Sequence, residues 1–180
     1  LKRTMFNPHE SISLEEIVPS ERDDFFRHSK LHGYVHDEGA AMLGGISGHA
    51  GLFSNAYEVA IVLQAMIQKG SYNNQRLFSE NSFNTFNYCY YCENDNRSGV
   101  GFDKPQVEGK HGSTFGGVSM NSFGHYGYTG SIAWADPDEE IIFIFLSNRT
   151  YPTRENTLLQ TSNIRTRAQE IVYKSLIDSK

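Results

Sequence analysis

The feature that most constrains the fold is an apolar run at residues 141–146, with the sequence IIFIFL. A run of this length suits a β-strand better than a helix, and a strand that is apolar at every position is buried on both faces. Residues 136–139 (DPDE), just before the run, are typical of a tight turn, and strand-like residues 131–135 precede that turn. The pattern predicts an antiparallel hairpin whose second strand is central in a covered sheet.

Helical periodicity lies on either side of the expected antiparallel strands of residues 99–147. Ser54 suits an N-cap, apolar residues then recur every three or four positions until Gly70, and Ser79 can cap a second short helix, so residues 55–98 are predicted to be mainly helical. Residues 156–178 are predicted to form a C-terminal helix that covers the sheet. Its apolar stripe is expected to consist of Ile164, Ala168, Ile171, Val172, Ser175 and Leu176.

These patterns predict one α+β domain over residues 1–180, because the chain is too short for two domains of ordinary size. Residues 1–54 have no clean period and are predicted to be irregular loops. A formal net charge of −5 argues against nucleic acid as a partner, since such binding depends on neutralising phosphates. The longest apolar run is far shorter than the roughly 20 residues of a membrane span.

Two groups of side chains suggest metal or redox chemistry on residue type alone. Cys89 and Cys92 form an isolated C-x-x-C that no second pair completes, so we interpret it as a local loop feature, with redox or metal binding as the alternative. The second group consists of His36, Asp37, Glu38 and His49. Its spacing fits no established metal motif, and we predict no metal site, with metal-assisted hydrolysis as the alternative.

The strand-rich half of the chain carries motifs that resemble a known enzyme family. Residues 123–131 (FGHYGYTGS), Trp134 and residues 147–152 (SNRTYP) resemble, in order and spacing, the C-terminal end of class C β-lactamases and related esterases. A subfamily of β-lactamase-related serine hydrolases, often fused to family 3 glycoside hydrolases (β-N-acetylglucosaminidases), is similar over residues 35–38, 44–54 and 99–103. The resemblance implies a partial β-lactamase/transpeptidase-like fold without the N-terminal strands and the nucleophile helix.

The resemblance also implies roles for individual residues. Of the family's three catalytic motifs, only the Lys-Thr-Gly or His-x-Gly wall is matched, by His125-Tyr126-Gly127. Gly127 would leave room for the substrate, and the backbone N–H of Tyr128, on an edge strand, would be one of two oxyanion-hole donors. His125 stands where relatives more often have lysine, and histidine is only partly charged near neutral pH. Expected to contact the substrate are Tyr126, Asn148 and Tyr151.

The last two of those residues have an alternative interpretation, and the family's other two motifs are missing. Asn148 and Tyr151 could instead form a turn that ends the strand. No serine is followed three residues later by lysine, and Tyr72-Asn73-Asn74 matches Tyr-x-Asn by chance, in a turn after the helix. We therefore expect the natural protein to be longer, this chain alone to be inactive, and the missing N-terminal part of the same domain to be its partner.

The function implied by the resemblance is that of a serine acyl-hydrolase, similar to a β-lactamase, an esterase or a D-peptidase, that acts through a covalent acyl-enzyme. It implies no cofactor, a small-molecule or peptidoglycan-like substrate, an upstream glycoside hydrolase domain and a bacterial, extracytoplasmic location. The alternative is a non-catalytic module that binds cell-wall material or serves as an accessory domain.

Overall fold

The computed structural model describes residues 1–94, 96–106, 112 and 114–177. Its strands are β1 (Met5–Phe6), β2 (Glu21–Asp23), β3 (Ser29–Leu31), β4 (Leu52–Phe53), β5 (Ser71–Tyr72), β6 (Gln75–Arg76), β7 (Phe123–Tyr126), β8 (Ile132–Asp136) and β9 (Ile141–Phe145). Its α-helices are α1 (Glu38–Met42), α2 (Ala56–Ile67), α3 (Glu80–Asn87), α4 (Leu158–Thr161) and α5 (Ile164–Ile177). Short 3-10 turns lie at Pro8–Glu10, Leu14–Glu16 and Cys92–Asn94. The fold is α+β, as predicted, and none of the described helices is long and apolar enough to cross a bilayer.

The main sheet contains three antiparallel strands in the order β7-β8-β9. Trp134 of β8 lies opposite Gly124 of β7 on one side and Phe143 of β9 on the other. The predicted hairpin between β8 and β9 is confirmed. Within the described ranges, however, the middle position belongs to β8 and not to the apolar run, because β9 pairs with a strand on one side only.

Both faces of β9 are nevertheless covered, as its continuous apolar sequence predicts. Side chains alternate between the two faces of a strand, so Phe143 packs with Trp134 and with Tyr173 of α5. Ile142 and Ile144 pack on the other face, where the buried Leu63 of α2 lies. The sheet is therefore enclosed between α2 and α5.

Local capping signals account for the starts of α2 and α3. The predicted cap Ser54 is off by one residue, because the extended Asn55 is the N-cap of α2 and its side chain accepts a hydrogen bond from Glu58 N at 2.9 Å. Ser54 instead hydrogen-bonds Thr4 through its hydroxyl. Ser79 caps α3, as predicted, by accepting a hydrogen bond from Ser82 N at 2.9 Å.

The C-terminal segment differs from its prediction in two ways. It forms two helices, α4 and α5, separated at Asn163, whose φ of 51° is left-handed. The predicted apolar stripe is also rotated, since Ile164 and Ile171 are exposed while Gln169 and Tyr173 are buried. Two polar side chains thus lie on the buried face, which an apolar pattern alone does not predict.

Hydrogen bonds offset part of the cost of burying those polar side chains, although Gln169 Nε2 has no partner among the described residues. Gln169 Oε1 accepts a hydrogen bond from the backbone N–H of Phe115 at 3.3 Å, and Tyr173 donates to Asp136 Oδ2 at 3.1 Å. Burial, together with the negative charge of Asp136, raises the pKa of Tyr173 above its ordinary value, so its hydroxyl remains a donor. Asp136 is itself fully buried and also accepts from Ser119 N at 2.8 Å, which satisfies its carboxylate.

Lys104 provides a pH-dependent test of the core beside β7. It is 7% exposed, its Nζ donates to Asn87 Oδ1 at 3.2 Å and lies 5.6 Å from the centre of the Phe123 ring. Burial, with a smaller contribution from the positive charge of Arg97, lowers the pKa of Lys104 to about 8 from the ordinary 10.5. The folded state therefore binds fewer protons than the unfolded state between these two values, and stability rises with pH across that window.

We expect Lys104→Met to raise the free energy of unfolding at pH 7 by roughly 1–2 kcal/mol, because it removes the cost of burying a charge but also one hydrogen bond. It should also abolish the rise in stability between about pH 8 and 10.5. Urea unfolding at several pH values measures both effects. A variant with the same pH dependence as the parent protein would contradict this explanation.

Candidate functional site

The predicted motif His125-Tyr126-Gly127 lies at the end of β7, on the outer edge of the main sheet. Residues 100–102 lie within the segment predicted to form strands but are not a strand, and among the described residues only Asp103 bridges to this edge, through two hydrogen bonds with Gly124. Both His125 and Gly127 are exposed. Among the residues that the structure describes, the motif therefore borders an open strand edge.

A tight turn follows the motif at residues 127–130. Gly127 N donates to Ser131 O at 2.8 Å, and Gly130 N donates to Gly127 O at 2.9 Å. Gly130 has a φ of 99°, which a residue with a side chain rarely adopts. Tyr128 therefore lies in this turn, two residues after the strand ends, and not on the strand as predicted.

The turn leaves two successive backbone donors without an acceptor among the described residues. In the described part of the chain, no acceptor bonds the N–H of Tyr128 or of Thr129. The Tyr128 N–H is trans to the Gly127 carbonyl within one peptide plane, and that carbonyl points into the turn toward Gly130 N. The Tyr128 N–H consequently points out of the turn, as an oxyanion donor must.

His125 has one ring nitrogen in use and one available. Its Nδ1 lies 2.6 Å from the backbone carbonyl of Tyr126, an oxygen that can only accept. Nδ1 must therefore carry the hydrogen, which leaves Nε2 as the acceptor in the neutral ring. The exposed side chain thus presents a nitrogen that can accept or, once protonated, donate a hydrogen bond.

The side chains of the predicted substrate contacts Tyr126, Asn148 and Tyr151 have partners elsewhere in the structure. Tyr126 packs against the core on the α5 side, under the guanidinium of Arg165 at 4.4 Å, because alternate residues of β7 face opposite sides. Asn148 donates from its side-chain amide to Pro19 O. The Tyr151 ring lies 5.9 Å from Lys30 Nζ. Asn148 and Tyr151, which follow β9, therefore contact the N-terminal residues Pro19 and Lys30.

A buried ionic network, which the sequence reasoning missed, lies behind the turn. Arg154 makes a bidentate pair with Glu21 at 2.7 and 2.8 Å and also donates to Glu38 at 2.9 Å. His36 Nε2 lies 2.9 Å from a Glu21 oxygen, and its ring centre is 5.4 Å from that of Tyr128. Glu21 and Arg154 are separated by 133 residues in the chain, so no local spacing could indicate this pair.

The electrostatics of the network follow from burial and pairing. Burial raises the pKa of Glu21, but hydrogen bonds from Arg154 and the nearby positive charges outweigh it and leave the pKa below its usual value. Burial lowers the pKa of His36, and the opposing effect of the Glu21 charge does not compensate fully. Glu21 is therefore an ionised partner for Arg154 at neutral pH, and His36 favours its neutral form.

Neither group of potential metal ligands forms a cluster. Cys89 and Cys92 are joined in a disulfide. His36 and Glu38 belong to the buried network, whereas His49 pairs on the surface with Asp37 at 2.9 Å. Within residues 1–94, 96–106, 112 and 114–177, no group of three His, Cys, Asp or Glu side chains could hold a metal ion.

Strand β7, at the edge of the main sheet, ends in the His-x-Gly motif, and the turn after it has backbone N–H groups without an acceptor among the described residues. A family comparison points to the same class of enzyme. The model of the family described as Beta-lactamase matches residues 8–165. The chain therefore belongs to the β-lactamase family, and with it to the class of serine hydrolases similar to β-lactamases and penicillin-binding proteins.

Individual relatives agree with this assignment. The chain is 34% identical over 166 residues to a protein from Salmonella enteritidis PT4 named putative D-alanyl-D-alanine carboxypeptidase, and equally to one of the same name from Salmonella agona. The similarity covers 84% of this chain but 37% of each relative, so the chain spans little more than a third of their length.

Proposed function

We propose that the chain forms one wall of the active site of a serine acyl-hydrolase that works through a covalent acyl-enzyme. The observation that carries the proposal is the outward-pointing N–H of Tyr128 beside the exposed motif residues His125 and Gly127. Acyl transfer places negative charge on the carbonyl oxygen of the substrate, and a fixed N–H donor stabilises that charge. The serine nucleophile, its lysine and the catalytic tyrosine would come from chain beyond these 180 residues.

The proposed substrates are compounds that an acyl-enzyme mechanism can cleave: β-lactams, simple esters and peptides that end in D-amino acids. The name shared by the Salmonella relatives supports a peptidoglycan-like substrate. A substrate strand would lie along the outer edge of β7 beyond the bridge between Asp103 and Gly124, where Gly127 adds no side chain.

The cellular location of the protein and its neighbouring domain are part of the same proposal. The disulfide between Cys89 and Cys92 supports an extracytoplasmic location in a bacterium, because disulfides persist mainly in oxidising compartments. An upstream glycoside hydrolase domain, as in the resembling subfamily, would place the site near cell-wall material. The alternative of a non-catalytic binding module would keep the open edge of β7 and lack the nucleophile.

The proposal is tested on the natural-length protein and on this chain, side by side, with a chromogenic ester, a chromogenic β-lactam and a fluorophosphonate label. We expect the natural-length protein to label and turn over, and the chain alone to do neither. His125→Ala should lower kcat/KM about tenfold, because a hydrogen bond to a charged group contributes about 1.5 kcal/mol.

The matched control is His32→Ala, because Nε2 of His32 also bonds a backbone carbonyl, that of Ile17, at 2.6 Å. We expect this variant to keep the parent rate. If the natural-length protein neither labels nor turns over, the binding module replaces the enzyme. An equal loss in both histidine variants would assign the effect to folding.

A further inference from the structure

The turn at residues 127–130 is held from behind by one residue of the segment that follows β9. The backbone N–H of Arg149 donates to Thr129 O at 3.0 Å, and the Nε of the same residue donates to Tyr128 O at 2.9 Å. Arg149 therefore binds the carbonyls of Tyr128 and Thr129. These are the same two residues whose N–H groups have no acceptor among the described residues.

The Nε and Nη1 groups of the Arg149 guanidinium donate to backbone carbonyls. Arg149 is 8% exposed and has no carboxylate partner among the described residues. Its Nη1 donates to the carbonyls of Arg154 at 3.0 Å and Asn156 at 3.2 Å, and its guanidinium carbon lies 4.5 Å from the centre of the Tyr128 ring. A buried cation is costly unless polar groups surround it, so these carbonyls and the ring fix where the guanidinium lies.

Holding both peptide planes around Tyr128 fixes the direction of its N–H. The plane that contains the Tyr128 N–H is held by the bond between Gly127 O and Gly130 N. The next plane, which contains the Tyr128 carbonyl, is held by the side chain of Arg149. Peptide groups are rigid and planar, so a free plane could flip, whereas two held planes keep the donor aimed out of the turn.

The aromatic ring of Tyr128 is positioned by the same surroundings. The ring of His36 lies 5.4 Å from it with an interplanar angle of 33°, and His36 Nε2 lies 2.9 Å from a Glu21 oxygen. The side chain of Arg154 pairs with Glu21, and its backbone carbonyl accepts a hydrogen bond from Arg149. The buried ionic network and the turn are therefore connected through Arg149 and Tyr128.

We propose that Arg149 is a positioning residue: it holds the peptide between Tyr128 and Thr129 and thereby keeps the turn in the shape in which the Tyr128 N–H points outward. The contribution of Arg149 to catalysis rests on the proposed function, in which the Tyr128 N–H is an oxyanion donor. The contribution of Arg149 to the structure of the turn does not depend on catalysis. Lysine should not replace it, because an ammonium group is a point charge that lacks the planar fork needed to reach the Tyr128 and Arg154 carbonyls together.

The test compares the natural-length protein with Arg149→Met and Arg149→Lys. Hydrogen exchange of the peptide that spans residues 126–131 reports the bonded amides of Gly127 and Gly130 without requiring activity. We expect both variants to exchange there about tenfold faster. Ester hydrolysis should show kcat about tenfold lower with KM little changed, since an interaction realised in the transition state is weakened.

Arg165→Met is the matched control, because Arg165 also donates to this turn, to Gly130 O at 3.2 Å, and also lies over a tyrosine ring. It does not touch the Tyr128 peptide, so we expect exchange within twofold of the parent. Unchanged exchange in Arg149→Met, or an equal increase in Arg165→Met, would overturn the inference. Faster exchange only in the Arg149 variants of a protein that never labels would support it while rejecting the proposed function.

Discussion

Gly127→Ala is expected to leave the fold intact and to lower kcat/KM of the natural-length protein about 100-fold. A Cβ at this position would meet Thr129 Oγ1 at 3.6 Å and Ser131 Cβ at 3.7 Å, which are ordinary contacts, so stability should change by less than about 0.5 kcal/mol. In the proposed function the substrate lies against the backbone at Gly127, so the added methyl would stand in its way. Displacing a reacting carbonyl by about 1 Å costs on the order of 100-fold in rate.

Steady-state kinetics with the chromogenic ester, together with thermal unfolding, measures the two effects separately. A stable Gly127→Ala protein with unchanged kcat/KM would show that the substrate does not lie against this edge. A protein that loses stability in proportion to activity would show that the glycine is needed for folding.

Gly124→Ala, three residues earlier in the same motif region, should have the opposite profile. A Cβ here would lie 2.4 Å from Ala133 O, 2.4 Å from Trp134 Cε3 and 2.8 Å from Trp134 Cα. Two of these atoms are backbone of the neighbouring strand β8, so the strands must separate or the buried Trp134 must move. We expect a loss of about 3 kcal/mol in the free energy of unfolding, at the upper end of the usual cost of overpacking a core.

Urea unfolding of the two glycine variants in parallel provides the check, since both add the same methyl group to the same stretch of chain. A Gly124→Ala protein as stable as its parent would mean that β7 and β8 are not packed at the described distance. The pair also separates the roles of the two glycines: Gly124 permits close packing of strands, and Gly127 is proposed to permit approach of a ligand.

Much of the fold could be predicted because its signals are local. The hairpin of β8 and β9 follows from one apolar run and one polar turn, and the start of α3 follows from Ser79 alone. The buried face of α5 could not be read in this way. The partners of Gln169 Oε1 and of the Tyr173 hydroxyl are Phe115 and Asp136, which are distant in sequence.

The candidate site also has one part with a local signal in the sequence and one part that depends on contacts between distant residues. The motif at residues 125–127 is contiguous, so its position at the end of a strand in an α+β fold could be predicted from the sequence. How Tyr128, the residue after the motif, is held could not be predicted from the sequence. Arg149, His36 and the pair of Glu21 with Arg154 meet behind Tyr128 because folding brings together segments up to 133 residues apart, and such contacts leave no periodic or short-range trace in the sequence.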